Sequence, residues 1–280
     1  MENSILRKLI LEVLKEGKGS QYLVIVDEVE KLAAQRNLFP TREECEKGGV
    51  DYNRYYQSKR LSPNDKLKIQ EIIWDLIVER ILTVGVDDCN PDWPWVRLSE
   101  YGESVVKAPV LPYYDPEEYG AVINSVASSV DRVIKQYAIE GINCFRQRLF
   151  FASAVMFGAA AEKTVLILLE AIVNAETDQK VKHKLTKLVE RPNLPEIFAS
   201  IRERIDALIK AKTIPYAAYE GSIEHLLSLF EIIRSQRNDA VHPHIGEVNK
   251  TKVFLTIQAF PAALEVVYRL IEWFNNRKIK

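Results

Sequence analysis

The stretch from Leu149 to Val173 is the most apolar in the chain, and Glu162 and Lys163 sit at its centre. So long an apolar run must be hidden from water, inside either a protein core or a membrane. Two charges at the middle of a bilayer are costly, so the run reads as a buried core helix and not a membrane span. Ala152, Ala154, Gly158 and Ala159 to Ala161 are small enough to let neighbouring helices approach closely. The helix is expected over 141–175, bent at Gly158. A carboxylate on that surface needs a partner, and Arg237 is the candidate for Glu162.

The remaining periodicity is also mostly helical. Ser4 is expected to cap a helix over 5–16 that ends at Gly17 and Gly19, and 22–36 forms a second helix with Leu23, Val26, Val29 and Leu32 inward. Residues 37–61 are polar and turn-rich, a loop or short helix. Ser62 and Pro63 start a helix reaching Arg80, with Leu67, Ile69, Ile72, Ile73, Leu76 and Ile77 buried. Ile81 to Val86 and Trp95 to Leu98 read as two strands across an Asp/Asn/Pro turn, and Ser99 caps a short helix. The proline-rich stretch at 108–114 is a linker. Asp115 and Pro116 then open a helix to Tyr137 that buries Val122, Val126, Val130, Val133 and Ile134. Further helices are expected at 194–211 and 217–240. A last helix, capped by Asn249, should kink or restart at Pro261. The fold class is mainly α, with domains at 1–107 and 115–280.

A hydrophobic share of 47% and a charged share of 28% suit a soluble globular protein. Net charge is −1, so no global field draws in nucleic acid, and any such contact must be local. Cys45, Cys89 and Cys144 are far apart and form no paired spacing, which argues against a disulfide framework or zinc cage. With no signal peptide in view, a reduced cytoplasm is expected. The chain has no phosphate-binding glycine loop, no HExxH and no GxSxG. His242 and His244 offer two metal ligands without a third, so neither metal nor cofactor is expected. His183 and His225 read as structural.

Chemistry concentrates in Arg237-Asn238-Asp239-Ala240-Val241-His242-Pro243, at the end of the helix carrying Leu226, Leu229, Phe230 and Ile233. Arginine is a permanent planar cation able to grip a phosphate with two hydrogen bonds. Histidine exchanges protons near neutral pH. The pair suits phosphodiester chemistry without a metal. Five residues of regular helix rotate by roughly 140°, so Arg237 and His242 share a pocket only if the last turn unwinds before Pro243 or a second subunit completes the site. The alternative is a helix cap with a structural histidine.

Arg237-Asn238-Asp239-Ala240-Val241-His242 resembles the R-x4-6-H motif of HEPN domains, all-helical bundles of which many are metal-independent ribonucleases of toxin–antitoxin, phage-defence and CRISPR systems. The resemblance covers about 115–280. It implies Arg237, Asn238 and His242 as catalytic residues, Glu162 in support, RNA as substrate and a homodimer through the helical domain; His244, beside the motif, is a further supporting candidate. The basic run Lys180, Lys182, His183, Lys184, Lys187 and Arg191 is a candidate RNA track or a solvated helix.

Over 1–112, three helices followed by a hairpin give the order of a winged helix-turn-helix, and Pro94 to Gly102 is similar to its wing-to-helix transition. Its third helix would enter the DNA major groove, offering Lys66 and Lys68. Arg54, Tyr55, Tyr56, Lys59 and Arg60 form a basic-aromatic cluster whose rings could stack on bases. Yet 16 Lys+Arg face 19 Asp+Glu over 1–112, without the basic footprint typical of DNA binders. DNA is therefore a weak expectation, and protein contact is its equal. The rival to the nuclease is a non-catalytic DNA-binding or scaffold protein whose helical half dimerises or senses a ligand.

Overall fold

The computed structural model describes residues 1–107, 116–127, 129–232 and 250–279. The chain divides into two compact units, Met1–Leu111 and Pro112–Lys280. The expected linker at 108–114 lies outside the described residues. Helix predominates in both units.

In the first unit α1 (Asn3–Lys15) packs on α2 (Tyr22–Gln35) and α5 (Pro63–Val78). Two short helices, α3 (Arg42–Lys47) and α4 (Arg54–Gln57), lie between α2 and α5 in sequence. An antiparallel hairpin follows, β1 (Leu82–Val84) with β2 (Val96–Leu98), in the register Leu82 to Leu98 and Val84 to Val96. Helix α6 (Glu100–Lys107) closes the unit against α1. Leu6, Ile10, Ile25, Val29, Ile69, Ile73 and Val96 share the core.

Three expectations here need correction. Ser4 lies inside α1, and the capping position is Glu2, which makes no side-chain cap bond. Leu23 is 61% exposed because α2 turns Ile25, Val26, Val29, Leu32 and Ala33 inward. Leu67 is 59% exposed, off the buried stripe Ile69, Ile72, Ile73 and Leu76.

The start of α5 is a reciprocal cap. The Asp65 N–H donates to Ser62 Oγ, and the Ser62 N–H and hydroxyl donate to Asp65 Oδ2. The Met1 ammonium donates to Asp65 Oδ1 at 2.7 Å and to Tyr56 Oη at 2.9 Å. The Tyr56 hydroxyl in turn donates to Asp65 Oδ1 at 3.2 Å. Both charged groups of this pair are fully buried. Arg7 grips Glu79 through both terminal guanidinium nitrogens, tying α1 to the C-terminal end of α5.

Gly102 of α6 runs against the residue before β1. A Cβ at this position would lie 2.0 Å from the Ile81 carbonyl oxygen, a backbone atom that cannot rotate away. Gly102→Ala should therefore cost about 1–3 kcal/mol by overpacking. Urea unfolding followed by tryptophan emission checks it, and an unchanged midpoint would show that α6 shifts freely.

The second unit is built on α9 (Phe150–Ala175), which packs mainly against α8 (Arg132–Arg146) and α14 (Lys250–Asn275). Around them lie α7 (Pro116–Val126), α10 (Gln179–Glu190), α11 (Leu194–Lys210), α12 (Tyr216–Tyr219) and α13 (Ser222–Glu231). Phe157, Ala160, Ala161, Val165, Leu168 and Ile172 of α9 are fully buried. Both α9 and α14 are long and apolar enough to cross a membrane, but more than half of the apolar 18-residue stretch in each is buried within the bundle.

The expected helix to Tyr137 is two helices, because Asp131 caps a new one by accepting from the Val133 and Ile134 N–H groups. The expected helix over 141–175 breaks not at Gly158 but at Arg148, whose φ is +63°. The expected helix from 217 is α12 and α13, separated by Gly221 in a left-handed conformation. The C-terminal tail is stitched to the end of α9: Ile279 N–H donates to the Ala175 carbonyl, and Thr177 N–H and Oγ1 donate to the Ile279 carbonyl.

Helix α14 does not restart at Pro261, which lies inside it and buried. Proline has no N–H, so the carbonyl four residues back, Ile257, loses its helical donor. The buried Tyr119 hydroxyl of α7 donates to that carbonyl at 3.0 Å. Tyr119→Phe should cost about 1–3 kcal/mol by stranding the acceptor. In a Pro261→Ala background the restored N–H takes the carbonyl, so the same change should cost much less. A double-mutant cycle in denaturant reads this, and additive effects would sink the pairing.

Candidate functional site

The motif residues Arg237, Asn238 and His242, with His244, lie outside the described residues. Their anchors are described. Leu226 and Leu229 fix α13 in the core, and Phe230 meets Phe198 of α11 edge to face, ring centres 4.7 Å apart. Helix α13 also packs on α14 and α9. The C-terminal part of α13 and the N-terminal part of α14 border a shallow cleft of about 240 Å³, lined by Ser228, Glu231, Ile232, Lys252, Leu255 and Thr256. Ile232, the last residue described before the motif, and Lys252, near the start of α14, both line this mixed-polarity cleft. Glu162 is half-buried on α9, next to fully buried Ala161 and Thr164. Its expected partner Arg237 is outside the described residues.

The basic run forms α10. Asp178 caps it by accepting from the Lys180 and Val181 N–H groups, and those two bonds hold its carboxyl below the usual aspartate range. Leu185 and Leu188 point inward, while Lys180, Lys184, Lys187 and Arg191 are exposed at helical spacing. Lys184 Nζ reaches Glu203 Oε2 of α11 at 3.2 Å.

In the first unit the basic-aromatic cluster separates. Arg54, Lys59 and Arg60 are exposed. The Arg54 guanidinium lies over the Tyr55 ring at 5.1 Å. Lys59 Nζ donates to Asn37 Oδ1 at 2.7 Å. Tyr56, however, is a core residue that cannot stack on a base without leaving the core. Burial, followed by the Asp65 charge, pushes its hydroxyl pKa up to about 12. Lys68 Nζ donates to the Met1 carbonyl at 2.9 Å, and Lys66 stands exposed near the start of α5.

The outer face of α5 is not what a groove-reading helix requires. It presents Leu67, Glu71, Trp74, Asp75 and Val78, with Trp74 44% and Val78 66% exposed. Trp74 stacks on Trp93 at 5.4 Å, and Trp93 meets Tyr22 at 5.6 Å. Sequence reasoning missed this ladder because Trp93 lies in the turn segment and meets α5 only after the hairpin folds back. Among the described residues no group of three or more His, Cys, Asp or Glu is poised to hold a metal. No protein-family model, curated protein or solved structure matches the chain.

Proposed function

We propose that the second unit is a HEPN-type, metal-independent endoribonuclease of a toxin–antitoxin or phage-defence system, and that the first is a winged-helix-like module. The observation that carries the reading is the cleft between the ends of α13 and α14. The Arg-Asn-His motif belongs to the segment that joins those ends, and both helices pack on α9, the helix bearing Glu162.

In this reading the RNA 2′-hydroxyl attacks the adjacent phosphorus. The P–O5′ bond breaks, leaving a 2′,3′-cyclic phosphate and a 5′-hydroxyl. His242 takes the 2′ proton or supplies the one that O5′ receives. Arg237 holds the charge developing on the phosphoryl oxygens, and Asn238 positions the phosphate or His242. The test is cleavage of a cellular RNA pool in EDTA by wild type, Arg237→Ala and His242→Ala. Metal-independent cleavage with cyclic ends, lost in both variants, is expected. Equal cleavage by the variants would sink the mechanism. The rival, a scaffold without catalysis, draws its support from the apolar outer face of α5, which suits a protein partner better than DNA.

A further inference from the structure

Over α10, Gln179–Glu190, four lysines stand against one acid, Glu190, and Arg191 follows directly. No other described helix carries so large an excess of one charge sign, in a chain whose net charge is −1. Lys180, Lys184, Lys187 and Arg191 recur at intervals of four, three and four. At ~100° per residue they lie within about 60° of one another, in steps of about 4.5–6 Å along the axis. All four are exposed. On other helices Arg42, Lys47 and Lys107 are each answered one turn away, by Glu46, Glu43 and Glu103. The α10 stripe holds no acid of its own. Among the described residues its one ion pair is Lys184 with Glu203 of α11, and both side chains are more than half exposed. Such a surface pair is worth little and yields readily to a competing anion.

We infer that this stripe holds the sugar–phosphate backbone of a single-stranded RNA. The residue types on the helix select that occupant. A protein partner needs an apolar patch at the heart of its interface, and a membrane surface needs an apolar face to insert beside the cations. Helix α10 offers neither: Leu185 and Leu188 are buried in the bundle, and none of its large apolar side chains is exposed. A nucleic-acid backbone needs only cations, because neutralising its phosphates releases counterions and drives binding without apolar contact. A line one side chain wide meets one strand, not the two of a duplex. Contacts to phosphate alone carry no sequence information, so the track accepts any sequence. The choice of RNA over DNA rests on the ribonuclease reading, whereas the binding itself uses neither Arg237 nor His242.

Fluorescence anisotropy of the full chain with a labelled 2′-O-methyl oligouridine in EDTA tests it. The capped 2′-oxygen cannot attack phosphorus, so binding is read without cleavage. Four phosphates neutralised on a single strand should give a slope of log K against log salt of about −2.8. Lys180→Gln/Lys187→Gln should reduce that slope to about −1.4 and weaken binding about 10- to 100-fold at about 50 mM salt, with an unchanged circular dichroism melt. Lys15→Gln/Lys47→Gln, an equal loss of charge in the first unit, should change neither. A wild type that leaves the probe free at that salt overturns the proposal, and so does a control pair that weakens binding as much as the stripe pair. Competition by polyglutamate or by phosphatidylserine vesicles as strong, per charge, as by unlabelled oligouridine also overturns it, by assigning the stripe to an acidic protein or a membrane. Unmodified RNA separates the two readings. Binding through the stripe without cleavage leaves the track standing and removes the ribonuclease. Cleavage of subsaturating RNA that the stripe pair does not slow overturns the track alone.

Discussion

Asp65→Ala is expected to destabilise the first unit by about 3–5 kcal/mol, because it leaves a buried ammonium without its counter-charge. The carboxylate accepts from the Met1 ammonium, the Tyr56 hydroxyl, and the Ser62 hydroxyl and N–H. Removing it also dismantles the cap of α5. Burial alone would raise the Asp65 pKa, but the Met1 ammonium and Ser62 hydrogen bonds outweigh it and the net direction is down. A depressed folded pKa gives stability that is complete above the unfolded value, roughly 3.9, and is lost as pH falls through the folded one. Tyr56 has the opposite sign. Its folded pKa is raised to about 12, so its contribution is complete below the unfolded value of about 10 and is lost as pH climbs towards the folded one. Denaturant melts from pH 3 to pH 11 should therefore fall away at both ends. Asp65→Ala should flatten the acid limb and Tyr56→Phe the alkaline limb. An Asp65→Ala protein with wild-type stability at neutral pH would show that the ion pair contributes nothing net.

On the proposed ribonuclease reading, His242→Ala is expected to lower RNA cleavage by about 10²–10⁴-fold, the usual worth of a positioned acid or base. Arg237→Ala should lose about 10²–10³-fold, as one charge-stabilising donor typically does. The two losses should not add, because each group works on a transition state that the other has to help form. Rates on a defined oligonucleotide in EDTA, with the pH profile of wild type beside Arg237→Lys, read both effects. A lysine keeps the charge but not the two-pronged grip, so it should rescue only part of the rate. A profile without any inflection near the histidine range would remove His242 from proton transfer.

Local signals in the chain were readable where the cause was local. Ser62 and Pro63 start α5 as their residue types demand, and the turn before Trp95 does fold a hairpin back. Residue type gives Asp65 only a place in the first turn of α5. Its partner is the chain's first amino group, 64 residues away, and no period or motif carries that distance. Leu67 was assigned to the core because apolar residues populate both sides of α5, and helical spacing alone does not say which side packs. The α8–α9 corner was missed because Arg148 takes its left-handed turn without glycine or proline. Pro261 suggests a kink or restart because its compensating donor, Tyr119, comes from another helix. The candidate site was legible only as a short string with chemical sense. The cleft between α13 and α14 depends on long-range packing and is visible only in three dimensions.

The Trp74–Trp93–Tyr22 ladder has an optical consequence. Of the four tryptophans, Trp74, Trp93 and Trp95 belong to the first unit and Trp273 alone to the second. Trp74 is half in water while Trp273 is buried, so excitation at the red edge of the indole band samples two populations with different emission maxima and quencher access. Acrylamide should extinguish the first unit's signal ahead of the residual blue component from Trp273. One fluorescence titration then follows the two units separately, without a label and without cutting the chain.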